Sequence, residues 1–239
     1  MKTMRIQNLL LLLIFTGLTI SAGAAKEKTK SELRDVDAFT GIHVSSGIDL
    51  YLTQGKSQEV RVEAESELIG KITTQVEDGV LKISIRDKMN WDLGWNLTRK
   101  VYVTFVDLTE LQASAGSDVY SRNPFRLKEL KINSSSGSDV EIDDLTAENV
   151  SVVTSSGADA RVAGKTVSMF ADASSGSDLD CGGLVSRDCE ARASSGSDAI
   201  VYVTGSLKAR ASSGGDVSYL GKPQHRDIDE SSGGDIAEK

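Results

Sequence analysis

A short phrase, Ser-Ser-Gly-x-Asp, returns at intervals of roughly twenty residues, and this period constrains the fold more than any other feature of the chain. Its copies fall at Gly116/Asp118, Gly137/Asp139, Gly157/Asp159, Gly176/Asp178, Gly196/Asp198, Gly214/Asp216 and Gly233/Asp235, with an isolated earlier copy at Ser45-Ser46-Gly47-Ile48-Asp49. Self-similarity at a fixed period of this size indicates one supersecondary unit stacked on its neighbours.

Counting outward from each glycine reveals an inner code. Three, five and seven residues before it stand Ser134, Ile132 and Leu130, then Thr154, Val152 and Val150, then Ala173, Ala171 and Met169. Three and five residues after it come Val140 and Ile142, Ala160 and Val162, Leu179 and Cys181. The positions between are mostly polar or charged. Alternation of period two on both sides of a fixed glycine describes two short strands meeting at a corner. The inward residues shrink to Ala, Ser or Thr beside the glycine, which predicts a narrow lumen there.

A twenty-residue unit is too short for a parallel strand–helix–strand crossover, which needs about thirty residues, and the leucine-rich signature is missing. The expected fold is therefore all-β: a right-handed parallel β-helix, or solenoid, of about twenty residues per coil, since parallel connections are overwhelmingly right-handed. Successive coils would lie ~4.8 Å apart. At the corner, glycine is expected both to adopt positive φ and to leave room between coils that a Cβ would fill.

Before the repeats, residues 36–110 alternate as half-buried strands, as in Ile48-Leu50-Leu52, Val60-Val62-Ala64, Leu81-Ile83-Ile85 and Val101-Val103-Phe105. The stretch from Glu63 to Ile72 could hold a turn or two of helix. Residues 1–24 read as an export signal, with Lys2 and Arg5, an apolar run from Leu9 to Leu18 and an Ala22-Gly23-Ala24 cleavage site. A linker is expected over 25–35, an N-terminal β-rich part over 36–110 and the repeat solenoid over 111–239. Cleavage would remove two positive charges and no acid, making the balance more negative than the −8 of the whole chain. Such a chain is a poor partner for nucleic acid, whose phosphates are held by Lys and Arg. The apolar run is short for a membrane span, so no transmembrane segment is expected after cleavage, and the protein should be periplasmic, secreted or on the cell surface.

The segments Phe39-x-Gly-Ile-x-Val44, Ser46-Gly47-Ile48-Asp49-Leu-Tyr-Leu-Thr-Gln-Gly55, Asp78-Gly79-Val80-Leu81-Lys-Ile83 and Val101-Tyr-Val-Thr-Phe105, followed by the Ser-Gly-Ser-Asp coils, resemble the GIN-domain family. Its members are described as autotransporter adhesin heads and occur mostly in exported proteins of Bacteroidetes. The resemblance covers nearly the whole mature chain and implies a right-handed β-helix and an adhesive role.

Candidate site residues are few. If the repeat aspartates stack, neighbouring carboxylates repel by about 1 kcal/mol per pair in water. Either serine hydroxyls and backbone N–H groups satisfy them, or a hard cation such as Ca²⁺ bridges Asp118, Asp139, Asp159, Asp178, Asp198 and Asp216. Trp91 and Trp95 share one loop and suit either a sugar ligand or an apolar cap on the solenoid. Cys181 and Cys189 both fall at inward positions and stand as a disulfide or as buried thiols. Tyr120, Tyr202 and Tyr219 form no evident cluster. His43 and His225 make no visible triad. The first functional expectation is a non-enzymatic binding or adhesion module directed at a glycan or a cell-surface protein. The alternatives are a β-helix enzyme of the polysaccharide-lyase type, using Arg161, Arg192 or Arg210 beside the acidic ladder, and a structural envelope protein.

Overall fold

The structure, a computed structural model, describes residues 29–86 and 97–239. The export signal and the loop carrying Trp91 and Trp95 lie outside the described residues.

The described chain is a β-solenoid with roughly 20 residues per turn and no helix. The regular part begins with β8 (Glu110–Ala113), β9 (Asp118–Ser121), β10 (Phe125–Arg126) and β11 (Glu129–Ser135). It continues through four long strands, β12 (Asp139–Ser155), β13 (Asp159–Ser174), β14 (Asp178–Ser194) and β15 (Asp198–Ser212). It closes with β16 (Asp216–Leu220), β17 (His225–Glu230) and β18 (Asp235–Glu238). Each long strand bends midway, where the register shifts, as between Ile142 and Leu145 against β13. Each coil therefore presents one wall before its Ser-Gly corner and another after it. Parallel pairing stacks equivalent residues, so that Asp139 lies beside Asp118 and Asp159, and Val152 beside Ile132 and Ala171.

The inward positions counted from the glycines form the core. Val140, Ile142, Val152, Val162, Ala171, Cys181, Ala191, Val201 and Ala209 are all buried, and the small residues beside the corner, from Ala113 to Ala211, narrow the lumen as the sequence implies.

The corner itself departs from expectation. Two consecutive residues are left-handed, not one: Ser136 has φ 57° and Gly137 φ 65°, and the pair recurs in every copy from Ser46/Gly47 to Ser232/Gly233. A Cβ added at Gly137, Gly157, Gly176, Gly196 or Gly214 would meet nothing within 4 Å. Glycine is thus required for its φ and not for space between coils, correcting the second half of the expectation. The left-handed pair has a use: it lets the stacking hydrogen bonds run through the turn, with Gly137 N–H donating to Ser156 O at 3.2 Å and Gly176 N–H to Ser195 O at 3.1 Å.

The residue between glycine and aspartate, which carries no obvious pattern in sequence, points into the lumen. Ser117, Ser138, Ala158, Ser177 and Ser197 are fully buried. Ser197 Oγ accepts the Ser194 N–H at 3.0 Å and lies 2.7 Å from both Ser194 O and Ala173 O. An internal hydroxyl so placed satisfies backbone groups that the turn would otherwise leave buried and unpaired.

The early phrase at Ser45–Asp49 is no outlier. β2 (Gly41–Val44) pairs in parallel with β8, and β3 (Asp49–Gln54) with β9, so this copy is the next coil of the same stack although 69 residues separate Ile48 from its partner Ser117. β6 (Val80–Ile85) and β7 (Arg99–Phe105) add one further tier against β2 and β3. Antiparallel strands cover that end: β5 (Ile72–Glu77) on β6, β4 (Glu59–Glu65) on β7, and β1 (Thr29–Arg34), formed from residues expected in the linker, on β4. The stretch read as a turn of helix is a chain of turns, in which Ile69 N–H donates to Glu65 O at 3.0 Å and Leu68 is buried. At the far end the exposed Arg226 takes the register position beside Leu207 and donates to Tyr219 Oη at 2.9 Å.

Candidate functional site

The outward residue four places after the corner glycine is tyrosine in two adjacent coils, Tyr51 and Tyr120. Parallel register sets them side by side, and β7 contributes Tyr102 on the other flank of Tyr51. The rings stack, with centroids 5.1 Å apart for Tyr51–Tyr102 and 5.5 Å for Tyr51–Tyr120, interplanar angles being 19° and 22°. Tyr120, expected to stand without a cluster, thus belongs to one, formed with Tyr51 and Tyr102 and not with Tyr202 or Tyr219. Equal offsets from Gly47 and Gly116 make the Tyr51–Tyr120 pair readable in sequence once the early copy is accepted as a coil. Tyr102 precedes no such corner, and only the β3–β7 pairing reveals it.

Cations surround this row. The Arg61 guanidinium lies 4.1 Å from the Tyr102 ring centroid, Arg122 5.4 Å from that of Tyr51, and the Lys100 ammonium 5.9 Å from it. Tyr51 is thus held between two rings and Tyr102 between a ring and Arg61. Among the described residues Tyr120 has a ring neighbour on one face only. Its other flank borders the next coil, where its register partner is Glu141. There a notch of about 270 Å³ opens, lined by Tyr51, Tyr120, Ser121, Arg122, Glu141 and Asp143. Burial, followed by the fields of Asp118 and Asp49, pushes the Tyr120 phenol up, so its hydroxyl remains a donor at neutral pH.

Beyond Tyr120 the same wall turns acidic. A second depression of about 380 Å³ continues over Asp139, Glu141, Asp159, Asp178 and Asp180, with Arg161 between Glu141 and Asp180 in the outward row. It is flanked by the in-register column of Asp118, Asp139, Asp159, Asp178, Asp198, Asp216 and Asp235. Desolvation first, then a neighbouring carboxylate, raises the carboxyls of Asp118, Asp139 and Asp178 above the ordinary aspartate range. Part of the repulsion is offset across coils: Asp159 Oδ1 accepts the Asp178 N–H at 3.2 Å. Among the described residues no group of three or more His, Cys, Asp and Glu is gathered to hold a metal ion. The column supplies one carboxylate per tier, whereas calcium takes six to eight oxygens.

The remaining candidates disperse. Arg192 and Arg210 stack on the wall before the corner, where Arg192 pairs with Glu190 at 2.6 Å and Arg210 approaches Asp229 at 4.0 Å, whereas Arg161 stands on the wall after it. His43 on β2 has its Nε2 3.3 Å from Glu110 on β8, while His225 is exposed on β17 at the opposite end of the stack. Cys181 and Cys189 are buried free thiols. Burial pushes the Cys181 thiol far up and that of Cys189 up to about 12, which suppresses the thiolate at neutral pH.

Solved structures share this architecture. A "putative adhesin" from Bacteroides fragilis superposes with a TM-score of 0.80 at 20% identity, covering 89% of this chain and 98% of that one. A "putative adhesin" from Parabacteroides merdae gives 0.69 at 17%, covering 90% and 97%. A "putative lipid binding protein" from Parabacteroides distasonis gives 0.65 at 17%, covering 90% and 98%. At these identities the likeness shows the fold. No curated protein matches the sequence. The family described as "Putative auto-transporter adhesin, head GIN domain" matches residues 38–223, and this chain belongs to it.

Proposed function

We propose that this GIN domain is an exported, non-enzymatic adhesion module that grips a surface glycan along the wall following its Ser-Gly corners. The observation that carries this reading is the stacked row Tyr102–Tyr51–Tyr120 running directly into a polar trough. Aromatic surface beside fixed hydrogen-bonding groups is the combination a polyhydroxylated ring requires, because it buries apolar C–H faces while pairing the hydroxyls. The coils repeat every ~4.8 Å, close to the length of one pyranose unit, so a chain laid along the axis would meet an equivalent set of groups at each step. Many weak contacts then add when geometry allows them to engage together.

Export rests on the leader read at Lys2, Arg5 and Leu9–Leu18; among the described residues no helix is long and apolar enough to cross a membrane. The lyase alternative is disfavoured by the dispersal of Arg161, Arg192 and Arg210 over two walls and by an acidic trough that would repel an acidic polysaccharide. The test is retention of the mature protein on immobilised polysaccharides, with a parallel assay for unsaturated product. Binding without turnover, weakened in Tyr51→Ala, is the expected outcome. Unsaturated product, or binding only to a purified surface protein, would overturn it.

A further inference from the structure

We infer that the notch at Tyr120 is the terminal subsite of that wall and takes one hexose unit without negative charge, in its pyranose form. This inference rests on the glycan-binding reading above and adds to it a place and a sugar class.

Three observations converge on the notch. First, among the described residues only Tyr120 of the three stacked tyrosines lacks a second ring or guanidinium partner; Tyr51 lies between two rings and Tyr102 carries Arg61. A C–H face of a sugar ring placed there would continue the existing stack by one member. Second, the charged groups around the notch are open to a ligand: Glu141 and Asp143 make no ion pair or side-chain hydrogen bond with the described residues, and among those residues the Arg122 guanidinium meets only the Tyr51 ring. Carboxylates that accept two hydroxyl protons each, beside a guanidinium that donates, match the vicinal hydroxyls of a hexose. The Ser121 hydroxyl oxygen accepts the Asp143 N–H at 3.0 Å, which fixes the backbone beneath the carboxylate and keeps the O–H proton for donation. Third, the volume of about 270 Å³ suits one sugar ring and not two.

Charge decides the class. Glu141 and Asp143 line the notch itself, and Asp139, Asp159, Asp178 and Asp180 continue along the adjoining trough. A uronic acid or sialic acid would place its carboxylate in this field and be repelled, whereas a neutral hexose is admitted. A free amino sugar is attracted by the same carboxylates, and Arg122 offsets only part of that attraction, so the field excludes anionic rings and admits neutral or amino-bearing ones. The chain therefore enters from the trough and ends with a ring free of negative charge on Tyr120.

Titration of the mature protein with methyl glucoside, methyl galactoside, glucosamine and methyl glucuronide, followed through tyrosine ring NMR resonances, tests this. The neutral glycosides should shift Tyr120 and Tyr51 resonances with little effect on Tyr219. Tyr120→Leu, which keeps bulk without a ring, should weaken them about tenfold or more, and Glu141→Gln several-fold, while Arg192→Ala on the other wall changes nothing. Unchanged melting curves would separate these effects from misfolding. Glucosamine should bind at least as tightly as the neutral glycosides; its failure to bind, or binding of the glucuronide as tightly as the neutral glycosides, would overturn the class. Polysaccharide retention that survives Tyr120→Leu would sink the notch and leave the wall reading intact; loss of all polysaccharide binding by the unmodified protein would sink both.

Discussion

The tiers built from β2, β3, β6 and β7 and those built from β12 to β15 perform the same stacking with different materials. In the regular tiers the lumen is filled by Ala171, Ala191, Ala209 and other small side chains, and buried serine hydroxyls finish each corner. In the early tiers the interior holds Ile42, Leu50, Leu52, Leu81, Ile83 and Phe105, and antiparallel strands cover the end. Phe105 meets Phe125 edge to face at 4.9 Å, joining the covered end to the first regular tier. Repetition yields a column whose tiers depend mainly on nearest neighbours. The irregular end supplies bulk that ordinary hydrophobic packing can hold, and beside it the outward residue two after the aspartate, which is Glu141, Arg161, Asp180, Ile200 and Ser218 in later coils, is tyrosine at 51 and 120. The difference teaches that the repeats build length while the candidate site stands where the two parts meet, with Tyr51 and Tyr102 from the early tiers and Tyr120 and Glu141 from the first regular coils.

Four changes would break or sharpen this contrast. Phe105→Ala removes a fully buried ring from the early tiers and should cost about 3–5 kcal/mol by chemical denaturation, the range for large core truncations; a loss below about 1 kcal/mol would mean that this end contributes no true core. In the regular part, Gly215→Ala should act locally. Its Cβ would stand 2.5 Å from Ser194 N, and such overpacking costs about 1–3 kcal/mol, read as faster amide exchange in 216–239 with β12 and β13 unaffected. Gly157→Ala is the counterpart, because open space surrounds the added methyl and only the left-handed φ of 65° is penalised, by about 1 kcal/mol. If it proved as damaging as Gly215→Ala, the corner would be sterically tighter than its geometry indicates.

The smallest expected effect is pH dependence. Asp118, Asp139 and Asp178 have folded-state pKa values raised by burial and neighbouring carboxylates, so the folded protein binds protons more readily than the unfolded chain. Stability should therefore rise as pH falls from neutral through their raised values to the ordinary aspartate range. Below it the sign reverses: Asp188 and Glu190, held low chiefly by hydrogen bonds from Arg187 and Arg192, lose their contribution as they are protonated. Melting temperature against pH should pass through a maximum on the acid side, and Asp118→Asn/Asp139→Asn/Asp178→Asn should flatten its neutral limb. A monotonic rise from pH 4 to 7 would contradict the sign.

The period of the Ser-Ser-Gly-x-Asp phrase and the alternation around it determined, without any coordinates, that the chain would be a parallel β-solenoid, which side of each strand would be buried and that the aspartates would lie in one column. These are local properties: a side-chain period of two and a repeat length leave little freedom once neighbouring coils must share hydrogen bonds. The second left-handed residue at each corner and the inward serine were harder to see, because Ser136 or Ser138 is compatible with many turns and only the stacked neighbour selects one. Only the tertiary structure decided what stands beside what across a long loop. It placed the Ser45–Asp49 copy on the coil of Asp118, brought β7 to the flank of β3, and so assembled Tyr102, Tyr51 and Tyr120 from three separate stretches of chain. Pairings of that kind depend on where the intervening antiparallel strands dock, a contest among burial energies of many segments that no single window of sequence contains.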